Sequence, residues 1–212
     1  MLSHLKLATG WNIATVFSAS GQYVDDRGSS DGISNLEDRK VLGHLRSQSD
    51  YIVTSGLTAR QETYHGSKHA PIVIFTRHLK SVQHVPAVCS ISLYPTFVFT
   101  EDTEIQGVQP LNLPIANIRP LASGPGPLTQ VAKGLEVAPG MKLLYEGGVT
   151  TAKELVDGAS PLRIIATIAN SSADDFEKSV SVVAEVFGLR HADFSISSFA
   201  GLANLYLVFT RL

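Results

Sequence analysis

The stretch Leu143-Leu144-Tyr145-Glu146-Gly147-Gly148-Val149-Thr150-Thr151 carries the pattern that decides the fold. Apolar residues over 141–145 predict a short buried strand, and residues 151–156 predict a helix that ends at Asp157-Gly158. A glycine pair between a strand and a helix lets the backbone approach a ligand closely, and the first N–H groups of the helix then favour a phosphate. Many strand-to-helix turns contain glycine for geometry alone, so the stretch by itself leaves both interpretations open.

Composition narrows the class of protein. The 212 residues are 44% hydrophobic and 17% charged, which predicts one compact domain over 1–212. A net charge of -2 gives no general attraction to nucleic acid or to an anionic membrane. The single cysteine, Cys89, excludes an intrachain disulfide and a multi-cysteine metal site, and we expect no bound metal. No apolar segment is long enough to span a bilayer, and the first residues do not resemble a secretion signal, so we expect a cytoplasmic protein.

The remaining segments predict an α/β protein. Ser34 followed three residues later by Glu37 predicts a capping box and a helix to about residue 49, and a second helix is predicted between Ser172 and Gly188. Strands that alternate with helices indicate a mostly parallel sheet, and the short connection over 198–203 indicates a final antiparallel hairpin. The proline-rich stretch 110–139 is interpreted as a long surface connection within the domain. The other predicted strands are 12–19, 51–53, 71–76, 96–100, 162–168, 193–198 and 204–210.

Three polar, glycine-bearing segments follow predicted strands. They are Ser18-Ala19-Ser20-Gly21, Ser55-Gly56-Leu57-Thr58-Ala59-Arg60, which we interpret as a loop, and Glu146-Gly147-Gly148. In a parallel sheet the carboxyl ends of the strands share one edge, where ligands bind. Thr58 offers a hydroxyl and Arg60 a planar cation suited to a 2′-phosphate, although Arg60 taken alone also fits a solvated surface charge.

These segments, in this order, resemble the C-terminal reductase domain of the bifunctional riboflavin-biosynthesis deaminase/reductase, a member of the dihydrofolate-reductase-like superfamily. The resemblance is good over 12–60 and 141–156 and weak elsewhere. The matching residues are Ser18 to Gly21, Ile33-Ser34, Asp38, His44-Leu45-Arg46, Asp50 to Val53, Gly56 to Arg60, and Leu144 to Gly148 with Thr150.

The resemblance implies a three-layer α/β/α fold, NADPH as the cofactor, a homodimer, and reduction of 5-amino-6-(5-phosphoribosylamino)uracil or another small substrate. Glu146 then matches a catalytic position that faces the substrate and the nicotinamide. The substrate side would also include Ser18, Ser20 and Gly21. The cofactor side would include Ser34, Gly56, Thr58, Arg60, Gly147, Gly148 and Thr150.

The chain departs from this family on the substrate side. Ala14 stands where the family usually has a lysine, Ser20 where it has an aspartate, and Gln61-Glu62-Thr63 where it often has Asp-Asn-Pro. Two functions therefore stay open: an NADPH-dependent reductase, or a non-catalytic nucleotide-binding or regulatory homologue of the same fold. Two roles also stay open for Glu146. It could relay a proton or orient a substrate hydroxyl, or it could only cap the helix that follows it.

Overall fold

The computed structural model describes residues 2–102, 117–122, 126–158 and 161–212. Within these residues the chain forms a nine-stranded sheet and six α-helices, with short 3₁₀ turns between them. The strands are β1 (Gly10–Ser18), β2 (Tyr51–Ser55), β3 (Ile72–Thr76), β4 (Thr96–Thr100), β5 (Ile118–Pro120), β6 (Lys142–Tyr145), β7 (Leu162–Ala169), β8 (Phe194–Ala200) and β9 (Asn204–Arg211). The helices are α1 (Leu36–Arg46), α2 (Gly56–Gln61), α3 (Pro86–Cys89), α4 (Pro127–Gly134), α5 (Val149–Asp157) and α6 (Phe176–Phe187).

The strand order is β5-β4-β3-β2-β6-β1-β7-β9-β8. The pairs from β5 to β7 are parallel, whereas β9 pairs antiparallel with both β7 and β8. The mostly parallel sheet and the C-terminal antiparallel hairpin are therefore confirmed. The apolar runs explain the arrangement, because strands with helices on both faces are hydrophobic along their whole length.

Buried side chains form separate clusters on the two faces of the sheet, because successive strand residues point to opposite sides. On one face, Ile13 of β1 packs in a cluster with residues of α4, α5 and α6. On the other face, Leu144 and Ile165 pack against Val41 and Leu45 of α1, and β3 residues pack near α2 and α3. The result is the predicted three-layer arrangement.

The start of α1 differs from the prediction. The N-cap is Asn35, whose side-chain oxygen accepts from the N–H groups of Glu37 and Asp38 at 3.1 and 3.0 Å. The predicted capping box at Ser34 is therefore wrong. The carboxylate of Glu37 accepts instead from the N–H groups of Leu202 and Ala203 in the β8–β9 turn, at 2.9 and 2.8 Å. The helix ends at Arg46, three residues before the predicted end.

Two other predictions need correction. Residues 56–61 form the short helix α2 rather than a loop, capped by Ser55, whose Oγ accepts from the Thr58 N–H at 3.1 Å. The proline-rich stretch is not only a surface connection, since it contains β5 and α4. Pro127 is compatible with α4 because it lies in the first turn, where a backbone N–H has no partner within the helix. Residues 103–116 and 123–125 of that stretch lie outside the described residues.

Candidate functional site

A cavity of about 620 Å³ opens at the carboxyl edge of the sheet. Its wall is formed by β1 and β7, the inner side of α1, the loop after β1, α2 with the turn that follows it, and the start of α5. The volume is within the range of small-molecule and cofactor sites. The position is the one at which parallel α/β sheets bind ligands.

Six of the residues predicted from the sequence line this cavity, so the fold brings them together from the loop before α1, from α2, from the β6–α5 turn and from the start of α5. They are Ser34, Thr58, Glu146, Gly147, Gly148 and Thr150.

Residues 18–21, at the end of β1 and the beginning of the loop that follows it, do not contribute to the cavity wall. The hydroxyls of Ser18 and Ser20 hydrogen bond to each other at 2.8 Å, and Ser18 Oγ accepts from the Gln22 N–H at 3.0 Å. A Cβ on Gly21, which has a φ of 90°, would lie 3.0 Å from a methyl group of Val182 in α6. Ser18, Ser20 and Gly21 therefore form a closed turn against α6, and their predicted contact with substrate stays a prediction.

Gly56 and Arg60 also lie outside the cavity wall. A Cβ on Gly56 would lie 2.8 Å from the Cβ and Oγ1 atoms of Thr76, so this glycine lets α2 pack closely on β3. Arg60 is exposed in the last turn of α2. Its predicted contact with a 2′-phosphate is not tested by this geometry.

The two glycines before α5 have different surroundings. A Cβ on Gly147 would overlap the hydroxyl of Tyr145, whereas a Cβ on Gly148 would meet nothing within 4 Å. Gly148 is also the N-cap of α5 and receives no side-chain cap hydrogen bond. Open space next to the uncapped first turn of a helix is suited to an anion such as a phosphate. Gly147 thus serves packing, and Gly148 leaves room for a ligand.

Glu146 forms the inner wall of the cavity in an ion pair with Arg46. Arg46 Nε donates to Oε1 at 2.9 Å and Nη2 donates to Oε2 at 2.6 Å. The Tyr64 hydroxyl donates to Oε2 and accepts from Arg46 Nη2 at 2.9 Å, and the guanidinium lies 5.2 Å from the centre of the Tyr64 ring. The Glu146 backbone is held as well, since its N–H donates to the Val53 carbonyl at 2.9 Å.

The electrostatics of this cluster set the charge states of Arg46 and Tyr64. Burial alone would lower the pKa of Arg46, but charge attraction and hydrogen bonds to Glu146 and Tyr64 together outweigh burial and raise that pKa above its ordinary value. Burial, together with the charge of Glu146, raises the pKa of the Tyr64 hydroxyl well above its usual range. Arg46 therefore stays a cation and Tyr64 stays a neutral hydrogen-bond donor at physiological pH.

A second carboxyl group, Asp38, lines the cavity beside this cluster. The side chain is buried, and the Ser34 hydroxyl donates to its Oδ2 atom at 2.6 Å. Burial raises the pKa of Asp38, while hydrogen bonds from Ser34 and Thr167 lower it in part. Asp38 can therefore hold a proton closer to neutral pH than an exposed aspartate can.

Glu62 attaches the loop after β1 to the end of α2. Its Oε1 atom accepts from the Ser30 hydroxyl at 2.6 Å and from the Ser30 N–H at 3.3 Å. Burial raises the pKa of Glu62 as well. Ser30 and Glu62 both line the cavity, so this contact fixes one side of its opening.

Sequence reasoning assigned no role to Asp38, Arg46, Tyr64 or Glu62. The signal for Asp38 was its position in the first turn of a helix that follows a strand-end loop. Arg46 lies in one of the segments that resemble the reductase family, but nothing local marks Arg46, Tyr64 or Glu62 as partners, because the groups they contact come from distant segments.

Within the described ranges, no helix is long and apolar enough to cross a membrane. In the same ranges, no group of three or more His, Cys, Asp or Glu side chains is arranged to hold a metal ion.

The sequence matches no protein-family model, and no curated protein is significantly similar to it. Solved structures do share its fold. A deaminase/5-amino-6-(5-phosphoribosylamino)uracil reductase from Thermotoga maritima superposes with a TM-score of 0.65 at 13% identity, over 95% of this chain and 56% of that one. A pyrimidine reductase-like protein from Corynebacterium diphtheriae gives a TM-score of 0.65 at 15% identity, over 96% and 92% of the two chains.

A dihydrofolate reductase from Enterococcus faecalis, solved in complex with NADP(H), gives a TM-score of 0.53 at 10% identity, over 95% of each chain. The chain thus spans just over half the length of the bifunctional protein and nearly all of the other two. Identities this low establish the architecture alone. The fold is the dihydrofolate-reductase-like fold that pyrimidine reductases and dihydrofolate reductases share, as predicted from the sequence.

Proposed function

We propose that the chain is an NADPH-dependent reductase of a small heterocyclic or sugar-like substrate, with the cavity at the sheet edge as its active site. One observation carries the proposal: the wall of a single cavity contains both an open helix start at Gly148 and a buried, ionisable acid, Asp38. The first feature suits the phosphates of a dinucleotide, and the second suits proton transfer to a substrate.

The residues present fit the cofactor. Gly148 leaves space that any side chain would fill, and Thr150 and Thr58 line the same cavity from α5 and α2. We assign the pyrophosphate to the start of α5, the rest of the dinucleotide to the side bounded by Thr58, and a contact with its ribose to Ser34. When bound, NADPH supplies the hydride, and the protein contributes binding, orientation and electrostatics.

Two carboxyl groups then have separate roles. Both oxygens of Glu146 are engaged by Arg46 and Tyr64, so we assign Glu146 to fixing the geometry and charge of the inner wall. Asp38 is engaged at Oδ2 by Ser34, and its raised pKa lets it hold a proton at a carboxyl oxygen. We therefore assign proton exchange with the substrate to Asp38.

The alternative of a binding protein without catalysis is supported by Ala14, which lines the cavity without an ionisable group where related reductases usually have a lysine. Calorimetric titration with NADPH and NADH tests nucleotide binding, which both functions share. If neither cofactor binds, the reductase is excluded. Oxidation of NADPH in the presence of a pyrimidine, pterin or carbonyl substrate would exclude the binding protein. Binding of NADPH with no oxidation across that panel would favour it.

We also propose a homodimer, following the family resemblance. Sedimentation velocity measures it directly: a species of twice the chain mass of 22.7 kDa supports the dimer. A single species at the chain mass across the micromolar range contradicts it.

A further inference from the structure

We infer that the substrate is an unphosphorylated ring compound that is positively charged or rich in N–H donors, rather than a phosphorylated sugar derivative. The inference rests on the proposed reductase and names the class of its substrate. It follows from the charges that face the cavity and from the partners that these charges already have.

Acidic side chains outnumber cationic ones in the wall of the cavity. Four carboxyl groups line the cavity, against two arginines and the ring of His65. The carboxyl groups are Asp31, Asp38, Glu62 and Glu146, and the arginines are Arg39 and Arg46. A phosphate dianion placed among these groups would be repelled, and the repulsion is stronger in a cavity than in bulk water.

Arg46 is not available to a phosphate. Its Nε and Nη2 atoms donate to both oxygens of Glu146, and Nη2 also donates to Tyr64. Moving the guanidinium to a ligand would leave the carboxylate of Glu146, which is 6% exposed, without its counter-ion. An unpaired buried charge costs several kcal/mol, so Arg46 stays with Glu146.

Arg39 lies at the opening and is paired too. Its Nη2 atom lies 3.5 Å from Oδ1 of Asp31, and both side chains are more than half exposed. A solvated pair of this kind attracts a phosphate weakly, because water and the neighbouring carboxylate screen the cation. The cations that line the cavity therefore provide no dedicated site for the phosphate of a substrate.

The buried carboxylate of Asp38, unlike the two arginines, lacks an oppositely charged partner within the part of the chain that the structure describes. It receives hydroxyl hydrogen bonds from Ser34 and Thr167 but has no cationic partner among the ion pairs of the described residues. A ligand that brings a positive charge or adjacent N–H donors would compensate the burial of this carboxylate. Glu62, which is half-buried and whose side chain is bound by Ser30 in the same set of contacts, adds to the negative potential.

The experiment uses probes that share a phenyl ring and differ in charge: benzamidine, benzamide, benzoate and phenyl phosphate. Each is titrated calorimetrically into the full chain at pH 7 and low salt, with inorganic pyrophosphate present to occupy the start of α5. We expect benzamidine to bind about tenfold more tightly than benzamide. We expect benzoate and phenyl phosphate to bind more weakly than benzamide.

Variants identify the group responsible. Asp38→Asn should reduce benzamidine binding to the level of benzamide, while Asp174→Asn, which removes an exposed carboxylate outside the cavity wall, should leave it unchanged. Benzoate or phenyl phosphate binding as tightly as benzamidine would overturn the inference. So would no benzamidine binding at millimolar concentration, or equal binding by wild type and Asp38→Asn.

These measurements do not require NADPH. Failure of the proposed reductase would appear as an absence of NADPH binding or oxidation, with the order of the probes unaffected. Failure of the substrate class would appear in the order of the probes, with NADPH binding unaffected.

Discussion

The guanidinium of Arg46 holds both carboxylate oxygens of Glu146 across a sequence separation of 100 residues. Arg46 is the last residue of α1, and Glu146 is the first residue after β6. The pair therefore joins the helix on one side of the cavity to the turn that begins α5. Because Gly147 and Gly148 follow Glu146 directly, the ion pair also fixes the position of the proposed phosphate site.

Substitution of Arg46 should lower stability strongly. We expect Arg46→Ala to lower the free energy of unfolding by about 3 kcal/mol, because it leaves the buried Glu146 carboxylate without a counter-ion. Arg46→Lys should retain only part of the stabilisation, since an ammonium keeps the positive charge but cannot form the bidentate contact with Glu146. Urea denaturation measures both values.

Arg190→Ala is the matched control. This arginine forms an exposed pair with Asp193 at 2.8 Å, and its loss should cost about 0.5 kcal/mol or less. A loss in Arg46→Ala no larger than the loss in Arg190→Ala would contradict the structural role of the ion pair.

The pH dependence of stability should change in Asp38→Asn. Burial raises the pKa of Asp38 in the folded state, so the folded protein holds this proton more firmly than the unfolded chain. The resulting stabilisation is complete below the unfolded pKa of about 3.9 and is lost as the pH rises through the folded pKa. Asparagine has no such titration, so the variant should become more stable than wild type by about 1 kcal/mol near pH 7.

Denaturation at intervals from pH 4 to pH 8 gives this difference directly. The advantage of Asp38→Asn should grow with pH and then level off. An advantage that is constant or shrinks with rising pH would show that Asp38 is not held in a raised-pKa state.

Arg60 tests the cofactor preference. The sequence predicts contact with the 2′-phosphate of NADPH, and the side chain is exposed in α2, outside the cavity wall. If the prediction holds, Arg60→Ala weakens the binding of NADPH by about tenfold and leaves the binding of NADH unchanged, because only NADPH has the 2′-phosphate. Equal effects on the two cofactors in a fluorescence titration would remove Arg60 from this role.

The fold could be predicted from local patterns. Apolar runs such as those that became β3 and β7 identify strands without any tertiary information, and the short connection before β9 identifies the hairpin. The cap of α1 could not be chosen in this way, since Ser34 and Asn35 are both good caps. The choice depends on Glu37, which is drawn to the amides of Leu202 and Ala203, far along the chain.

The site was predictable only in part, for the same reason. The glycine pair is visible in the sequence, but the different surroundings of the two glycines are not. Gly147 packs against the side chain of Tyr145, whereas Gly148 faces open space. The contacts of Glu146 with Arg46 and Tyr64 join three separate segments. Their local sequence contains no pattern that reports such pairing.

The central claim is that the start of α5 binds the phosphates of NADPH, and titration of NADPH into Gly148→Ala tests it most directly. The added methyl group should leave the melting temperature unchanged, because it meets nothing within 4 Å. It should weaken the binding of NADPH by about tenfold, because it would overlap the bound phosphates. Gly43→Ala, which also adds a methyl group to open space but outside the cavity wall, should bind NADPH like wild type. NADPH binding that is undetectable in wild type, or equally tight in wild type and Gly148→Ala, would contradict the claim.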